Sequence, residues 1–154
     1  MPLALEIKTM ASFSSNISIR WADIDANFHL RHSVYYDFGS QQRISIFEDL
    51  GLTMQVMKEN HFGPVIFREE CVFKREIKLS DAITIVAKIT HMRPDASRYT
   101  MQHEFFNAED QLCAILTLDA AWIDIQKRKL VTTTPYIAQQ VISAFPKTGD
   151  FVHS

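Results

Sequence analysis

The sequence predicts an α+β fold in which a curved antiparallel sheet wraps one central helix. Apolar residues recur at helical spacing over residues 33–50, which is the length of one long helix. Four strand-like segments then follow in succession, separated by short polar turns. Consecutive strands with tight turns are normally antiparallel neighbours, and a single helix must bury its apolar face against the sheet that follows.

The first predicted elements are a short strand and the long helix. Residues 16–21 alternate apolar and polar side chains, as a half-buried strand does. Ser33 is a possible N-cap of the helix, although His32 could hold that position instead, and Gly51 is the residue expected to end it. Gly39 in the helix interior costs about 0.5–1 kcal/mol relative to alanine. We therefore expect a sheet or a ligand to pack closely against the helix there.

The later part of the chain is predicted to be mostly strands. Residues 53–61 fit either a short second helix or a loop. The predicted strands cover residues 65–75, 82–92, 97–107 and 112–125. In the first of them, simple alternation places on one face Val65, Phe67, Glu69, Cys71 and Phe73. Pro135 fits the first position of a final short helix that runs to about Ala144.

Length and composition indicate one globular domain. The chain has 154 residues, of which 47% are hydrophobic, so it is too apolar for disorder. A net charge of -2 gives no reason to expect a nucleic-acid partner. The two cysteines, Cys71 and Cys113, lack metal-ligand spacing and fit a reducing cytosol. With no membrane-length apolar segment and no recognisable secretory signal, we expect a cytoplasmic protein without a membrane partner.

The most informative segment is Arg20–Tyr36, which reads R-W-A-D-I-D-A-N-F-H-L-R-H-S-V-Y-Y. Asp23 and Asp25 close the first strand, and His29 and His32 follow before the helix. A carboxylate beside a helix N-terminus can build a hydrolytic site, because it acts as base or nucleophile while helix N–H groups hold an oxyanion. The alternative is a structural carboxylate in a turn or cap. The H-x-x-H spacing lacks a third ligand, so no metal site is expected.

The same segment resembles the 4-hydroxybenzoyl-CoA thioesterase-like branch of the hotdog-fold superfamily. The pattern of that family is R-Y-x-D-T-D-x-x-G-x-V-x-H-x-x-Y, followed by an Arg eight residues beyond the Tyr. The matching positions in this chain are Arg20, Asp23, Asp25, Leu30, His32, Tyr35 and Arg43. The resemblance extends over about residues 16–144, where the later strands match only as a pattern of strands and turns.

The resemblance implies a hotdog fold and hydrolysis of acyl-CoA, aroyl-CoA or acyl-carrier-protein thioesters without a cofactor. It places the catalytic carboxylate, as base or nucleophile, on Asp25. It places the oxyanion donor, a backbone N–H at the start of the helix, at about His32. Asp23 is left a supporting role. Hotdog subunits join their sheets edge to edge, so we expect a homodimer or homotetramer. We divide the chain into an N-terminal arm (1–15), a hotdog domain (16–145) and a C-terminal tail (146–154).

Three positions depart from the family pattern. Phe28 replaces a small residue, usually glycine, and puts the close approach of the loop backbone and the shape of the acyl pocket in question. Arg31 replaces an asparagine found in many relatives, and Ser40 replaces a glutamate common on the helix. Neither the acid nor the helix N-terminus is removed by these changes.

Further residues are candidates for binding the substrate. Phe28, His29 and Tyr35 are expected near the acyl pocket, although Tyr35 fits the core equally well. Arg93 and Arg98 flank a strand turn and are candidates for the phosphates of CoA, as Lys74 and Arg75 flank another; charges at turns are also commonly just solvated.

Arg43 lies on an otherwise apolar helix and therefore needs a partner, because an unpaired buried charge is costly. The candidate partners are Asp37, Glu69 and Glu70. Glu69 and Glu70 could also supply a second acid.

Two other functions stay open from the sequence. An acyl-carrier-protein thioesterase uses the same chemistry, whereas the dehydratase branch carries a Gly-His-Phe-Pro signature that this sequence lacks. A non-catalytic acyl-CoA-binding module is possible if Phe28 closes the pocket.

Overall fold

The computed structural model describes residues 13–154. The helices are α1 (Val34–Asp49), α2 (Met54–Glu59) and α3 (Tyr136–Ala144), and a 3-10 turn covers Trp21–Asp23. The strands are β1 (Ser14–Ile17), β2 (Phe62–Phe73), β3 (Ile83–Met92), β4 (Arg98–Phe106), β5 (Leu112–Asp124), β6 (Lys129–Leu130) and β7 (Lys147–His153).

One sheet contains all of these strands, in the order β1-β3-β4-β5-β2. Its pairings are antiparallel except that β7 runs parallel to β3, and the short β6 pairs with β5. The edge of β3 that faces away from β4 pairs with β1 over its first half and with β7 over its second half. This architecture confirms the predicted α+β fold, with a curved, largely antiparallel sheet around one long helix.

The central helix α1 is pressed against the sheet at Gly39. A Cβ atom at this position would collide with a terminal methyl group of Leu116 on β5. The absence of a side chain therefore lets the helix approach the sheet, as the unfavourable glycine in the helix interior indicates. The packing on this face is what brings the polar residues of α1 close to β2 and β4.

Two apolar clusters fill the space between the helices and the sheet. One lies around Trp122, which stacks near Phe47 and Phe62 and donates from Nε1 to the carbonyl of Ala96 at 3.0 Å. The other surrounds Phe105 beside the start of α1. The second cluster supports the loop that carries Asp25.

The ends of the chain contribute more strands than the sequence patterns indicate. The strand predicted over 16–21 lies at Ser14–Ile17 instead, because the chain bends into the 3-10 turn where Asp23 accepts the Arg20 N–H. Residues 147–153, expected as part of a tail, form β7. Residues 1–12 of the expected arm lie outside the described residues, while Phe13 is buried. The division into arm, domain and tail stays a prediction.

A β-bulge changes which side chains of β2 face the helix. The pairing with β5 skips a residue between Ile66 and Arg68, so Phe67 has no partner. Ile66 stands opposite Ala120 and Glu69 opposite Leu118, which puts these two side chains on the inner face. The prediction that Val65 and Phe67 share a face with Glu69 is therefore wrong, because one extra residue reverses the alternation.

Candidate active site

Asp25 lies in a tight loop between the 3-10 turn and α1. The Asp25 N–H donates to the carbonyl of His29 at 2.9 Å, and the Phe28 N–H donates to the carbonyl of Asp25 at 3.1 Å. An isolated antiparallel bridge between Ile24 and Leu30 closes the base of this loop. These bonds hold the loop as a small hairpin and set the direction in which the Asp25 side chain leaves it.

The Asp25 carboxylate uses one oxygen for structure and leaves the other available. Oδ1 accepts the N–H groups of Asn27 at 2.8 Å and His29 at 3.2 Å. Within residues 13–154, Oδ2 has no hydrogen-bond partner, and the residue is half-buried. The carboxylate is thus anchored by an Asx turn, while Oδ2 can accept a proton from water or approach a carbonyl carbon.

A cleft of about 280 Å³ brings Asp25 together with three of the other predicted site residues, His29, His32 and Tyr35. The helix begins at Val34, with Ser33 at the N-cap, so the expectation for its start is confirmed. The Val34 N–H donates to Arg31, whereas the His32 N–H meets no acceptor in the described part of the chain. An unpaired N–H before a 16-residue helix lies where the helix dipole favours negative charge.

The end of β2 and the segment after it form another wall of this cleft and contribute Phe73, Lys74, Arg75 and Glu76. The Leu30 N–H donates to Ile77 at 2.7 Å and so ties this segment to the Asp25 loop. Glu76 approaches His29, with 3.0 Å between Oε2 and Nε2.

Glu76 is a site residue that the sequence patterns do not indicate, since it lies 51 residues beyond Asp25. The adjacent cations Lys74 and Arg75 were the only available signal.

Phe28 does not line the Asp25 cleft, so its predicted role beside the acyl pocket is not supported by its place in one chain. The residue is 73% exposed, and its φ of 64° is in the left-handed region. Glycine adopts this conformation without strain, which explains why the related pattern has a glycine at this position. The loop keeps the backbone shape of a glycine although the residue is phenylalanine.

Asp23 stabilises the loop that carries Asp25. Its carboxylate is fully buried and accepts from the Arg20 side chain at 2.8 Å and from the Arg20 N–H at 2.9 Å. Its carbonyl accepts the Arg31 N–H at 2.7 Å. The hydrogen bonds from Arg20 hold the pKa of Asp23 below its ordinary value. The supporting role expected for Asp23 thus has a physical basis in these contacts.

Tyr35 is a core residue at the floor of the cleft. Its ring meets Phe73 edge to face at 5.0 Å and Phe105 at 5.2 Å, measured between ring centroids. Burial raises the pKa of the Tyr35 hydroxyl above its ordinary value. Its hydroxyl is therefore neutral at neutral pH. Tyr35 is both a core residue and a lining residue of the cleft, the two roles that the sequence left open.

Arg93 and Arg98 lie away from Asp25 within one chain. They line a separate cleft of about 410 Å³ together with His91 and Thr100. The Arg98 guanidinium stacks over the exposed Phe67 ring, 5.1 Å from its centroid. This cleft shares no lining residue with the Asp25 cleft.

Arg43 lies beside Glu69 on β2, one of the three candidate partners predicted from the sequence. Its Nη1 lies 3.6 Å from Oε2 of Glu69 and 3.1 Å from Nε2 of His103. Burial raises the pKa of Glu69, which is not among the residues that line the Asp25 cleft. Glu70 instead pairs with Arg68 at 2.8 Å. Neither glutamate stands beside Asp25 as a second acid.

Residues 13–154 contain no group of three or more histidine, cysteine or acidic side chains arranged to hold a metal ion. In the same residues, no helix has both the length and the apolar character needed to cross a membrane.

A curved sheet around one long helix defines the hotdog class of proteins. The chain belongs to the thioesterase-like superfamily, whose model matches residues 19–141. The resemblance read from the Arg20–Arg43 segment is thereby confirmed, and the protein is a thioester hydrolase. No curated protein matches the sequence at a significant level.

Solved structures support the fold. A hypothetical protein from Staphylococcus aureus, solved in complex with CoA, has a TM-score of 0.78 at 17% identity, over 85% of this chain and 81% of that chain. A 1,4-dihydroxy-2-naphthoyl-CoA thioesterase from Synechocystis has a TM-score of 0.75 at 20% identity, over 85% and 95%. A DHNA-CoA thioesterase from Staphylococcus aureus has a TM-score of 0.68 at 16% identity, over 77% and 78%.

Proposed function

We propose that this protein hydrolyses the thioester of an acyl- or aroyl-CoA, with Asp25 as the catalytic carboxylate and the His32 N–H as the oxyanion donor. The observation that carries the proposal is the arrangement in one cleft of a carboxylate oxygen and a helix-start N–H, neither of which has a hydrogen-bond partner among residues 13–154. These are the two groups that attack on a thioester carbonyl requires.

In the proposed reaction the thioester carbonyl oxygen accepts the His32 N–H. Asp25 Oδ2 either removes a proton from a water that attacks the carbonyl carbon or attacks that carbon itself. The carbon–sulfur bond then breaks and the thiolate of CoA leaves with its electron pair, to be protonated afterwards. In the nucleophilic route, water hydrolyses the resulting anhydride. A general base contributes about 10²–10⁴-fold in rate, and one oxyanion donor about 10²–10³-fold.

Cations near the cleft support CoA as the carrier. Lys74 and Arg75 line the Asp25 cleft itself and are exposed, so they can meet the phosphates of a bound CoA. Arg93 and Arg98 stay candidates for the same role, in which a distant part of the ligand, or the ligand of a second subunit, reaches their separate cleft. The relatives solved with CoA or named for CoA thioesters agree with this choice.

We propose that the protein forms a homodimer through the outer edge of β2, with a homotetramer as the larger alternative. In residues 13–154, this 12-residue strand pairs with β5 alone. Ile66, Phe67, Val72 and Phe73 expose apolar surface along it. A long apolar edge strand is favourable for pairing with a second copy and unfavourable when left in water.

A panel of acyl- and aroyl-CoA thioesters tests the proposed function, with released thiol as the readout. We expect saturable hydrolysis of at least one member, and thiol release from none of them would contradict the proposal. The same acyl groups attached to acyl carrier protein test whether the protein is instead an acyl-carrier-protein thioesterase. We expect faster hydrolysis of the CoA thioesters, since Lys74 and Arg75 can bind the phosphates of the CoA nucleotide.

The non-catalytic binding module depends on a closed pocket, and the exposed position of Phe28 gives it no support. Binding of acyl-CoA without turnover would favour it nevertheless. The cytoplasmic location stays a prediction.

A further inference from the structure

The inner end of the Asp25 cleft is formed by Tyr35, which lines the cleft although the residue is only 3% exposed. Its ring meets Phe73 edge to face, with 5.0 Å between the ring centroids, and packs beside Phe105 at 5.2 Å. Phe105 is fully buried, so it supports the tyrosine ring from the core side. The floor of the cleft is therefore a packed aromatic cluster rather than an opening into the protein.

The space between α1 and the sheet is closed one helical turn beyond Tyr35. Gly39 follows four residues later on the same face of the helix, and a Cβ atom there would collide with a methyl group of Leu116. Leu116 is fully buried and belongs to the same apolar cluster as Tyr35. A channel along the helix would have to admit a methylene chain, whereas this gap leaves no room for one methyl group. An acyl chain that starts at Asp25 therefore cannot pass Tyr35 along α1.

The Asp25 cleft is also small and mostly polar. Its volume of about 280 Å³ lies just below the range of about 300–1,000 Å³ that is usual for sites that hold a whole drug-sized ligand. Apart from Leu30, Tyr35 and Phe73, its lining side chains are polar or charged. It shares no lining residue with the cleft that holds Arg98 or with a cleft of about 160 Å³ beside Arg43. The acyl group and the thioester end of the CoA arm must therefore share this one limited space.

The oxyanion donor proposed above lies close to this floor. His32 precedes Tyr35 by three residues, so the two are separated by about one helical turn, or about 5 Å along the axis. Both residues line the same cleft. A thioester carbonyl that accepts the His32 N–H therefore leaves depth for a single ring or a few methylene groups before the acyl group meets the Tyr35 ring.

We propose that Tyr35 limits the substrate to short acyl groups, with a chain no longer than hexanoyl or with a single aromatic ring. The inference rests on the proposed thioesterase function and names the substrate class of that site. The rings of Tyr35 and Phe73 give such a group an apolar contact surface. A second subunit at the edge of β2 adds walls on the open side of the cleft, whereas the floor is made by one chain. Tyr35 contacts the end of the acyl group and takes no part in bond breaking.

The test is the dependence of kcat/KM on acyl length, in the straight-chain series from acetyl-CoA to hexadecanoyl-CoA. Each methylene group that the cleft buries should raise kcat/KM by up to about fourfold, and this rise should end at or before hexanoyl. Benzoyl-CoA should be hydrolysed at least about tenfold faster than 4-phenylbenzoyl-CoA, because the rigid second ring cannot bend away from the floor. A kcat/KM that keeps rising to dodecanoyl-CoA, or equal values for the two aroyl thioesters, would overturn the inference.

Substitutions of Tyr35 test whether this residue sets the limit. Tyr35→Leu removes the ring from the floor and should move the limit to longer chains, whereas Tyr35→Phe keeps the ring and should keep the wild-type limit. Tyr36→Leu is the matched control, because Tyr36 is half-buried and does not line the cleft. Thermal unfolding shows whether each variant is folded, and the wild-type profile tests the length limit without any variant. An unchanged limit in folded Tyr35→Leu would overturn the role of Tyr35.

Binding of non-hydrolysable thioether analogues separates this inference from the proposed function. Affinity that rises with chain length only as far as hexanoyl, with a limit that moves in Tyr35→Leu, supports the inference even in a protein that hydrolyses none of the thioesters, a result that rejects the thioesterase proposal. Hydrolysis of short and long acyl-CoA alike does the reverse.

Discussion

Arg43 Nη1 donates to Nε2 of His103 across 3.1 Å, and this contact fixes the tautomer of a fully buried imidazole. Arginine has no acceptor, so Nε2 carries no proton, and the single ring proton resides on Nδ1 facing Gln42. Burial and the neighbouring guanidinium both lower the pKa of His103 well below its ordinary value. His103 is thus a neutral side chain that connects Gln42 and Arg43 of α1 through hydrogen bonds.

We expect the His103 ring to stay neutral, with its proton on Nδ1, as the pH falls from about 8 to about 5. The unfolded chain takes up a proton below a pKa of about 6.5 that the folded chain does not, so stability from this residue is present above that value and lost as the pH falls. Nitrogen chemical shifts measure the tautomer, and His103→Gln assigns the signals. A ring titrating near pH 6.5 would argue against this network.

Gly39→Ala should destabilise the protein although alanine is the better helix former. The added methyl group meets Leu116, and overpacking of this kind costs about 1–3 kcal/mol. Urea unfolding measures the change, and Leu116→Ala in the same chain should reduce the penalty by opening space. Ser45→Ala, at an exposed position of α1, is the control and should change little. A Gly39→Ala protein as stable as the wild type would contradict the close approach of helix and sheet.

Phe28→Gly should stabilise the Asp25 loop. The left-handed backbone at this position costs a residue with a Cβ about 1–2 kcal/mol, and glycine removes this strain. The greater freedom of glycine in the unfolded chain offsets part of the gain. The exposed ring loses little on removal. Phe28→Ala is the matched control, since it removes the ring but keeps the Cβ. Thermal unfolding should rank the glycine variant above the alanine variant, and the opposite order would refute the assigned backbone strain.

Asp23→Asn should destabilise the protein at neutral pH, and the difference from the wild type should shrink in acid. Arg20 lowers the pKa of the folded Asp23, so its contribution to stability is present above the unfolded value, near 3.8, and is lost as the pH falls through the folded pKa. Unfolding free energies of both proteins, measured from about pH 7 down to about pH 3, test this. A difference that stays constant with pH would mean that the Arg20 pair contributes nothing.

Local sequence patterns determine much of this fold. The α1 boundaries, β3, β4 and β5 follow from apolar periodicity and turn residues, and Gly39 correctly indicates close packing. The predicted faces of β2 are wrong at Phe67, because a bulge depends on pairing with β5 and cannot be recognised from the sequence of one strand. β7 was not predicted for a related reason, since its parallel partner β3 is far away in sequence.

The candidate site divides in the same way. Asp25, His29, His32 and Tyr35 are close in sequence and lie together in the structure. Glu76 reaches the cleft only through tertiary contacts of the chain after β2, and no local pattern reveals such contacts.

The His103–Arg43 contact joins residues 60 positions apart and was likewise invisible, although the lone arginine on an apolar helix correctly pointed to a buried partner.

The most direct test of the central claim is the kcat of Asp25→Asn on the best acyl-CoA substrate. Asparagine keeps the Oδ1 acceptor that anchors the loop but lacks the carboxylate, so kcat should fall about 10²–10⁴-fold while substrate binding is largely retained. Asp49→Asn, at an exposed position of α1, should match the wild type. An undiminished kcat in Asp25→Asn would contradict the assignment of Asp25 as the catalytic carboxylate.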